Sequence, residues 1–354
     1  MTEQRTPSRL TTVVGGVACL ALLAAPAVAI TRASASDTRP TAIEVTYSYE
    51  SAADGTTLTE KGIEQMFVHG AFDSQRIYDG VDSGGAMTHF LAIQSFATSS
   101  TRYLDQTTTM VSFPRAAGFF GTSTLRDMET EGNVVHLGRK TVVGRECNVI
   151  RSNTDPTSGL PVAPTSTDYV EACYTPSGID LEETVISGGT QTNHAIATSV
   201  DEAPSFATDA FAPLPSSDAS VDTANVLTEI DAGSAPTPRY WRAGAPSGMH
   251  LMGRYRFQDM SGLDPVTSYA DVYVDDTSAV IVRQGPLTAD PSDESAAMSS
   301  SKLLTVGTIG KVVETIDTGQ SHVKAYPADD WFVDVSGTVS KAEIKRIAAG
   351  LRNG

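Results

Sequence analysis

The sequence is short of the signatures that announce catalysis. None of H-E-x-x-H, G-x-S-x-G, a P-loop or a dinucleotide fingerprint occurs in its 354 residues, which removes the zinc-protease, serine-hydrolase, nucleotide-hydrolase and Rossmann readings that depend on them. Gly307, Gly310 and Lys311 come nearest to a phosphate loop, but the spacing is wrong and Val312 follows, so the stretch reads as a turn into a strand. The histidines, His69, His89, His136, His194, His250 and His322, are dispersed with no i, i+4 pair, and each reads as a strand or surface residue rather than a metal ligand. Adjacent carboxylates such as Glu182-Glu183, Asp275-Asp276 and Asp329-Asp330 arise readily among 42 acids and are read as solvated turns. No residue is nominated as catalytic, cofactor-binding or metal-binding, no cofactor is expected, and the chain is expected not to be an enzyme.

Basic charge is also scarce. Lys and Arg number 25 against 42 acids, a formal charge of −17. Without residues 1–35, which hold Glu3, Arg5, Arg9 and Arg32, 22 bases face 41 acids. That balance repels nucleic acid and anionic headgroups, so no nucleic-acid partner is expected. With 40% apolar and 19% charged residues the composition is that of a folded globular protein, and the length favours two domains.

Cysteine is limited to three residues. Cys19 lies inside an apolar run, Leu10 to Ile30, preceded by Arg5 and Arg9 and followed by two A-x-A sites, Ala27-Val28-Ala29 and Ala33-Ser34-Ala35. Residues 1–35 read as a cleaved export signal; the alternative is an uncleaved anchor through residues 10–30, which the glycines and threonines of the run weaken. The expected location is therefore extracytoplasmic. An exported chain with two remaining cysteines is expected to pair them, Cys147 with Cys173, the other reading being two buried free thiols. They sit in strand-type runs, Arg145 to Ile150 and Tyr169 to Tyr174, on either side of a Pro/Ser/Thr/Gly-rich excursion at 152–167. Closing this loop stabilises the fold by about 3.5 kcal/mol on the chain-entropy account.

Most of the remaining chain alternates in the manner of strands. Ala42 to Tyr49, Ile63 to His69 and Gln75 to Tyr78 open a meander, with turns at Ala53-Asp54-Gly55 and at 80–85. Met87 to Phe96 lacks a decisive period and leans towards a helix or an irregular lid. Thr107 to Phe113, Val134 to Leu137 and Lys140 to Val143 are expected strands, and Leu181 to Ile186 and Ala195 to Val200 complete the sheet. Residues 216–239 form the expected linker between a domain at 40–215 and another at 240–354, with a short helix possible at Thr223 to Ile230. Arg254 to Phe257, Tyr269 to Val274, Ala279 to Arg283, Lys311 to Thr315, His322 to Tyr326 and Trp331 to Val335 imply a second antiparallel sheet. A closing helix follows: Ser340 is its N-cap, Glu343 holds the capping-box position, and Ile344, Ile347, Ala348 and Leu351 form one stripe. The fold class is α+β: a curved antiparallel sheet with few helices, then a smaller antiparallel-sheet domain ending in a helix.

Trp241 followed by Pro246-Ser247-Gly248-Met249-His250-Leu251 resembles the W…P-x-G-F-x-L opening of the second domain of the RseB/MucB family of bacterial envelope regulators, with Met249 in place of the usual aromatic. Trp331 to Leu351 resembles that domain's closing strand, turn and helix. Ala42 to Tyr49, Met66-Phe67-Val68-His69 and Gln75 to Gly80 are similar in layout to the family's LolA/LppX-like first domain, a half-barrel closed around an apolar cavity. The cysteine pair has no counterpart in that pattern. The resemblance implies an exported sensor or regulatory binding protein with a lipid or lipoprotein ligand and a membrane-bound regulatory partner, an anti-sigma factor in an envelope-stress pathway. The alternatives are a lipid or lipoprotein carrier, or an enzyme without a recognisable motif. The apolar-ligand candidates are Met66, Phe67, Val68, Phe72, Met110, Val111 and Phe113, large groups in both registers of their strands. The competing reading is a sheet packed on both faces in a filled core, and Gly70 and Gly118 are the expected points of curvature.

Overall fold

The computed structural model describes residues 40–52, 58–116, 134–152, 167–215, 225–231, 240–241, 244–260, 264–289, 304–317, 320–328 and 330–353. The export segment, the turn at 53–55, Gly118, and most of the 152–167 excursion and of the linker lie outside the described residues. Among the described residues no helix is long and apolar enough to cross a membrane.

Eleven strands form the first sheet: β1 (Ala42–Ala52), β2 (Leu58–His69), β3 (Asp73–Asp82), β4 (Met87–Ser95), β5 (Thr98–Tyr103), β6 (Gln106–Val111), β7 (Val134–Val142), β8 (Arg145–Ser152), β9 (Tyr169–Tyr174), β10 (Asp180–Ser187) and β11 (Thr190–Asp201). Their order is β6-β5-β4-β3-β2-β1-β11-β10-β9-β8-β7. Two local meanders are thus joined at a single long-range seam, β1 against β11. The alternation of β1 explains its central place: Ile43, Val45, Tyr47 and Tyr49 are all buried on one face, as a half-buried strand requires. The open sheet is curved, and its ladders are broken at Thr46/Tyr47, Ser51/Ala52, Asp180/Glu182, Val185/Ile186 and His136/Gly138. Such bulges bend and twist a sheet locally. Gly70, expected to bend the sheet, instead makes the β2–β3 turn with φ 59.

Three local expectations are corrected. Met87 to Ser95 is strand β4 and Phe96 begins the turn after it, because Met87–Gln94 pairs with β3 and Phe90–Ser95 with β5; tertiary pairing decides a short apolar run that period leaves open. Val134 to Leu137 and Lys140 to Val143 are one bulged strand, β7. The segment where a short helix was possible, Thr223 to Ile230, contains strand β12 (Val226–Glu229), paired to β14 (His250–Asp259).

The second sheet contains β12, β14 (His250–Asp259), β15 (Val266–Val274), β16 (Ala279–Pro286), β17 (Leu304–Val306), β18 (Gly310–Asp317), β19 (Gln320–Ala328) and β20 (Trp331–Gly337), in the order β12-β14-β15-β16-β20-β19-β18-β17. Helix α1 (Lys341–Ala349) lies on it with Ile344, Ile347, Ala348 and Leu351 buried. Ser340 caps the helix by accepting from the Glu343 amide at 3.2 Å, satisfying one orphan donor of the first turn. The false phosphate loop has a packing role: Gly307, at φ 49, lies so close to α1 that a Cβ there would meet the Ala349 carbonyl oxygen at 2.6 Å. Two short strands, β13 (Tyr240–Trp241) and β21 (Arg352–Asn353), pair with each other. Gln284 clips β13 in place, accepting from the Tyr240 amide and donating to its carbonyl, both at 2.9 Å.

The other face of this second sheet meets the first. Phe96, at the β4–β5 turn, sits with ring centroids 5.0 Å from both Phe72 and Tyr255. Phe113 packs edge-on to Phe257 at 5.8 Å, with the Arg283 guanidinium 4.1 Å over its ring. Ala71 and Ala116 join Ala270, Val272, Val274, Ala279 and Ile281 in the same buried cluster.

Candidate functional site

Residues paired across an antiparallel ladder share a face, so register alone assembles a site on the inner face of β2 to β5. One row runs Val68, Ser74, Gln94, Ser99, and the next runs Met66, Arg76, Ala92. These seven residues, with Gln75 and Ile93, line a cavity of about 210 Å³. Its apolar wall is Met66, Val68 and Ala92, and its uncharged polar groups are Ser74, Gln94 and Ser99; Gln75 and Ile93 border it from the alternate row, which pairs with Phe67 on the opposite face. It is smaller than the roughly 300–1,000 Å³ typical of pockets that enclose a drug-sized ligand. It therefore suits a short stretch of apolar chain.

The row beyond is polar although buried. Tyr47, Glu64 and Tyr78 are aligned across β1, β2 and β3. Glu64, 3% exposed, is gripped by Arg76, whose Nη2 donates to Oε2 at 3.0 Å while its Nε faces Oε1. Burial alone would lower the Arg76 pKa, but Glu64 beside it holds it above the ordinary value. Tyr78 folds over Gly80, where a Cβ would meet the Tyr78 hydroxyl oxygen at 2.1 Å; only glycine leaves that space. Tyr49 meets Tyr78 edge to face at 5.3 Å.

The same face continues over β11, β10 and β9 through Tyr49, Ala195, Glu183 and Ala172. Burial pushes the Glu183 carboxyl well up, and the nearby Asp180 and Glu64 carboxylates add to it. Asp180, partly exposed, is pushed by its enclosure to about 8, against a hydrogen bond from the Glu182 amide that favours the ionised form. Tyr47 donates to the Asp180 carbonyl at 2.9 Å. Burial also raises the Tyr47 and Tyr174 phenols well above their ordinary value, and takes Tyr49 to about 12. Charged forms are disfavoured throughout this region because low-dielectric surroundings do not solvate them.

The seven apolar candidates do not form one group. Met66 and Val68 line the cavity. Phe67 points from the opposite face and packs on Phe206 at 5.9 Å. Phe72 and Phe113 lie in the junction between the sheets. Val111 ends β6, its carbonyl accepting from Asn225 Nδ2 at 3.2 Å, and Met110 is 41% exposed.

Cys147 and Cys173 are joined in a disulfide across β8 and β9, both fully buried. The polar members Glu64, Arg76, Asp180 and Glu183 were missed. Glu182-Glu183 is no solvated turn: it lies within β10, where Glu182 faces Lys140 and His194 and Glu183 is buried on the other side. Asp275-Asp276 does form a turn, Asp275 accepting from the amides of Thr277 and Ser278. Among the described residues no group of His, Cys, Asp or Glu side chains is arranged to hold a metal ion.

No protein-family model matches the chain, and no curated protein matches it by sequence. Among solved structures it is similar to the MucA/MucB complex of Pseudomonas aeruginosa, at 15% identity over 88% of this chain and 93% of the other, with a TM-score of 0.27. It is also similar to a LolA superfamily protein of Nitrosomonas europaea, at 9% identity over 67% and 86%, with a TM-score of 0.17.

Proposed function

We propose that the chain is an exported binding protein whose first sheet takes up the acyl portion of a lipid or lipoprotein. The observation that supports this is the cavity built from two register rows, with Met66, Val68 and Ala92 as its apolar wall. Each methylene buried there gains about 0.8 kcal/mol, so a short chain segment supplies useful affinity only if the rest of the ligand follows the sheet and offsets association costs. The disulfide supports export, since such bonds persist in oxidising compartments. Residues 1–35 then serve as a cleaved signal or an anchor, and the two sheets as separate domains joined through 216–239.

The regulatory part of the proposal, a membrane-bound protein partner, is motivated by the motifs at Trp241 to Leu251 and Trp331 to Leu351. A carrier needs only the first sheet, and the second sheet with its capped helix is what favours a protein-binding role.

The binding claim is tested on residues 37–354 with the uncharged fluorophore N-phenyl-1-naphthylamine. Saturable binding is expected. Ala92→Trp, which fills the cavity, should weaken it at least tenfold, whereas Ile63→Glu, on the opposite and exposed face, should leave it unchanged. Binding that ignores Ala92→Trp in a folded variant would remove the cavity from the account.

A further inference from the structure

We infer that the cavity selects its ligand by head-group charge, accepting uncharged or cationic amphiphiles and refusing anionic ones, and that Glu64 is the residue that sets this preference. The inference rests on the apolar-cavity reading above and adds the chemical class of the ligand's polar end.

Among the described residues of the two lining rows, Arg76 alone carries positive charge. An arginine at a lipid site ordinarily suggests a carboxylate or phosphate, because its planar fork matches their oxygens. Here the fork is already closed on Glu64, which is almost wholly buried. The pair presents no net charge to the cavity, and an anion entering beside it meets neutral donors such as Ser74 and Ser99 but no uncompensated cation among the described lining residues. A buried anion without an opposite charge is strongly disfavoured.

The face that holds this pair carries further acids and acceptors along its strands. Glu183 and Asp180 lie further along the same face, and Tyr47 and Tyr78 flank Glu64 in its own row. Asn148 stands directly across the ladder from Tyr174 and is 6% exposed. Its Oδ1 has no hydrogen-bond partner among the described residues. This is an acceptor left without a donor on the same face as the carboxyls.

The response to a charged ligand is therefore asymmetric. Asp180 and Glu183 share a face with the Arg76–Glu64 pair, and burial raises the pKa of both; an approaching cation lowers them again, so negative charge can develop to balance it. The tyrosine rings add a favourable surface for such a cation. No neutral group here can become positive for an anion. Among the described lining residues the positive charge is that of Arg76, and freeing it requires breaking a buried pair, which leaves Glu64 uncompensated. An uncharged head group meets neither penalty.

The test uses residues 37–354 with N-phenyl-1-naphthylamine bound at pH 7, displaced below micellar concentrations by three dodecyl amphiphiles: dodecyl maltoside, dodecyltrimethylammonium and laurate. Laurate is expected to compete at least tenfold more weakly than each of the others, about 1.4 kcal/mol. A smaller difference from either one, with displacement by that compound clearly saturable, overturns the inference while leaving the cavity reading intact. Glu64→Gln, which leaves the Arg76 charge unmatched, is expected to improve laurate relative to dodecyl maltoside at least tenfold; an unchanged ratio in a folded variant removes Glu64 from its role. Should that variant not fold, the three-compound series on the unaltered chain still decides the charge preference. Absence of any saturable probe binding would refute the cavity reading itself, and the selectivity with it.

Discussion

Asp180 and Glu183 carry the clearest consequence at the scale of single residues, because the fold raises the pKa of both carboxyls. The unfolded chain gives Asp180 its ordinary value of 3.8, and the folded protein raises it to about 8. Between those values the native state holds a proton that the unfolded state has released, so stability falls as pH rises. The contribution is fully present below pH 3.8, declines through the window up to about 8 and is gone above it. Glu183 acts in the same direction, whereas Asp334 and Glu182, whose pKa values are lowered, act oppositely and at lower pH. Melting temperature is therefore expected to fall between pH 5 and pH 8, and Asp180→Asn, which keeps the acceptor for the Glu182 amide, should flatten the fall. An Asp180→Asn profile parallel to that of the unaltered chain would contradict the assignment. These residues were partly legible in the sequence. In Leu181 to Val185, Glu183 occupies the register of two apolar neighbours, and in Ile63 to Val68, Glu64 occupies that of Met66 and Val68. A carboxylate at an inward position of an alternating strand is the signal; counting adjacent acids discards it.

Among the elements, the β4–β5 hairpin shows why local pattern was insufficient. Met87 to Phe96 contains no period that separates strand from helix, and it is a strand because β3 and β5 supply its partners. Its two-residue turn places Phe96 at φ 34, a region that non-glycine residues occupy at a penalty of roughly 1–2 kcal/mol. The ring's seat between Phe72 and Tyr255 holds it there. Phe96→Ala is expected to destabilise the protein by about 2 kcal/mol in urea unfolding through lost aromatic packing. Phe96→Gly loses the same packing but relieves the backbone, and should be at least as stable as the alanine variant. A glycine variant less stable by about 1 kcal/mol would show that the turn is not strained. Helix α1 was legible throughout, since cap, stripe and end are all local features of its own sequence.

At the scale of the whole molecule, two antiparallel sheets and a closing helix follow from alternation and turn spacing, but the joining of the two meanders at β1 and β11 does not. That seam pairs Glu44 with Asp201 and Ser51 with Asn193, contacts too distant in sequence for periodicity to report. The proposed division at residues 216–239 predicts that limited proteolysis cuts first on either side of β12. The aromatic junction at Phe96, Tyr255, Phe113 and Phe257 should keep the two pieces together on a sizing column; first cuts within 140–200 would contradict the division. On the proposed function, a ligand's apolar chain lies on the inner face of β2 to β5. This placement is tested most directly by photolabelling residues 37–354 with an uncharged dodecyl probe bearing a diazirine and mapping the modified peptides by mass spectrometry. Adducts concentrated at Met66, Val68 and Ala92, and suppressed by excess dodecyl maltoside, are the predicted result. Adducts instead at exposed apolar residues such as Met87 and Leu104, or labelling that no competitor suppresses, would contradict it.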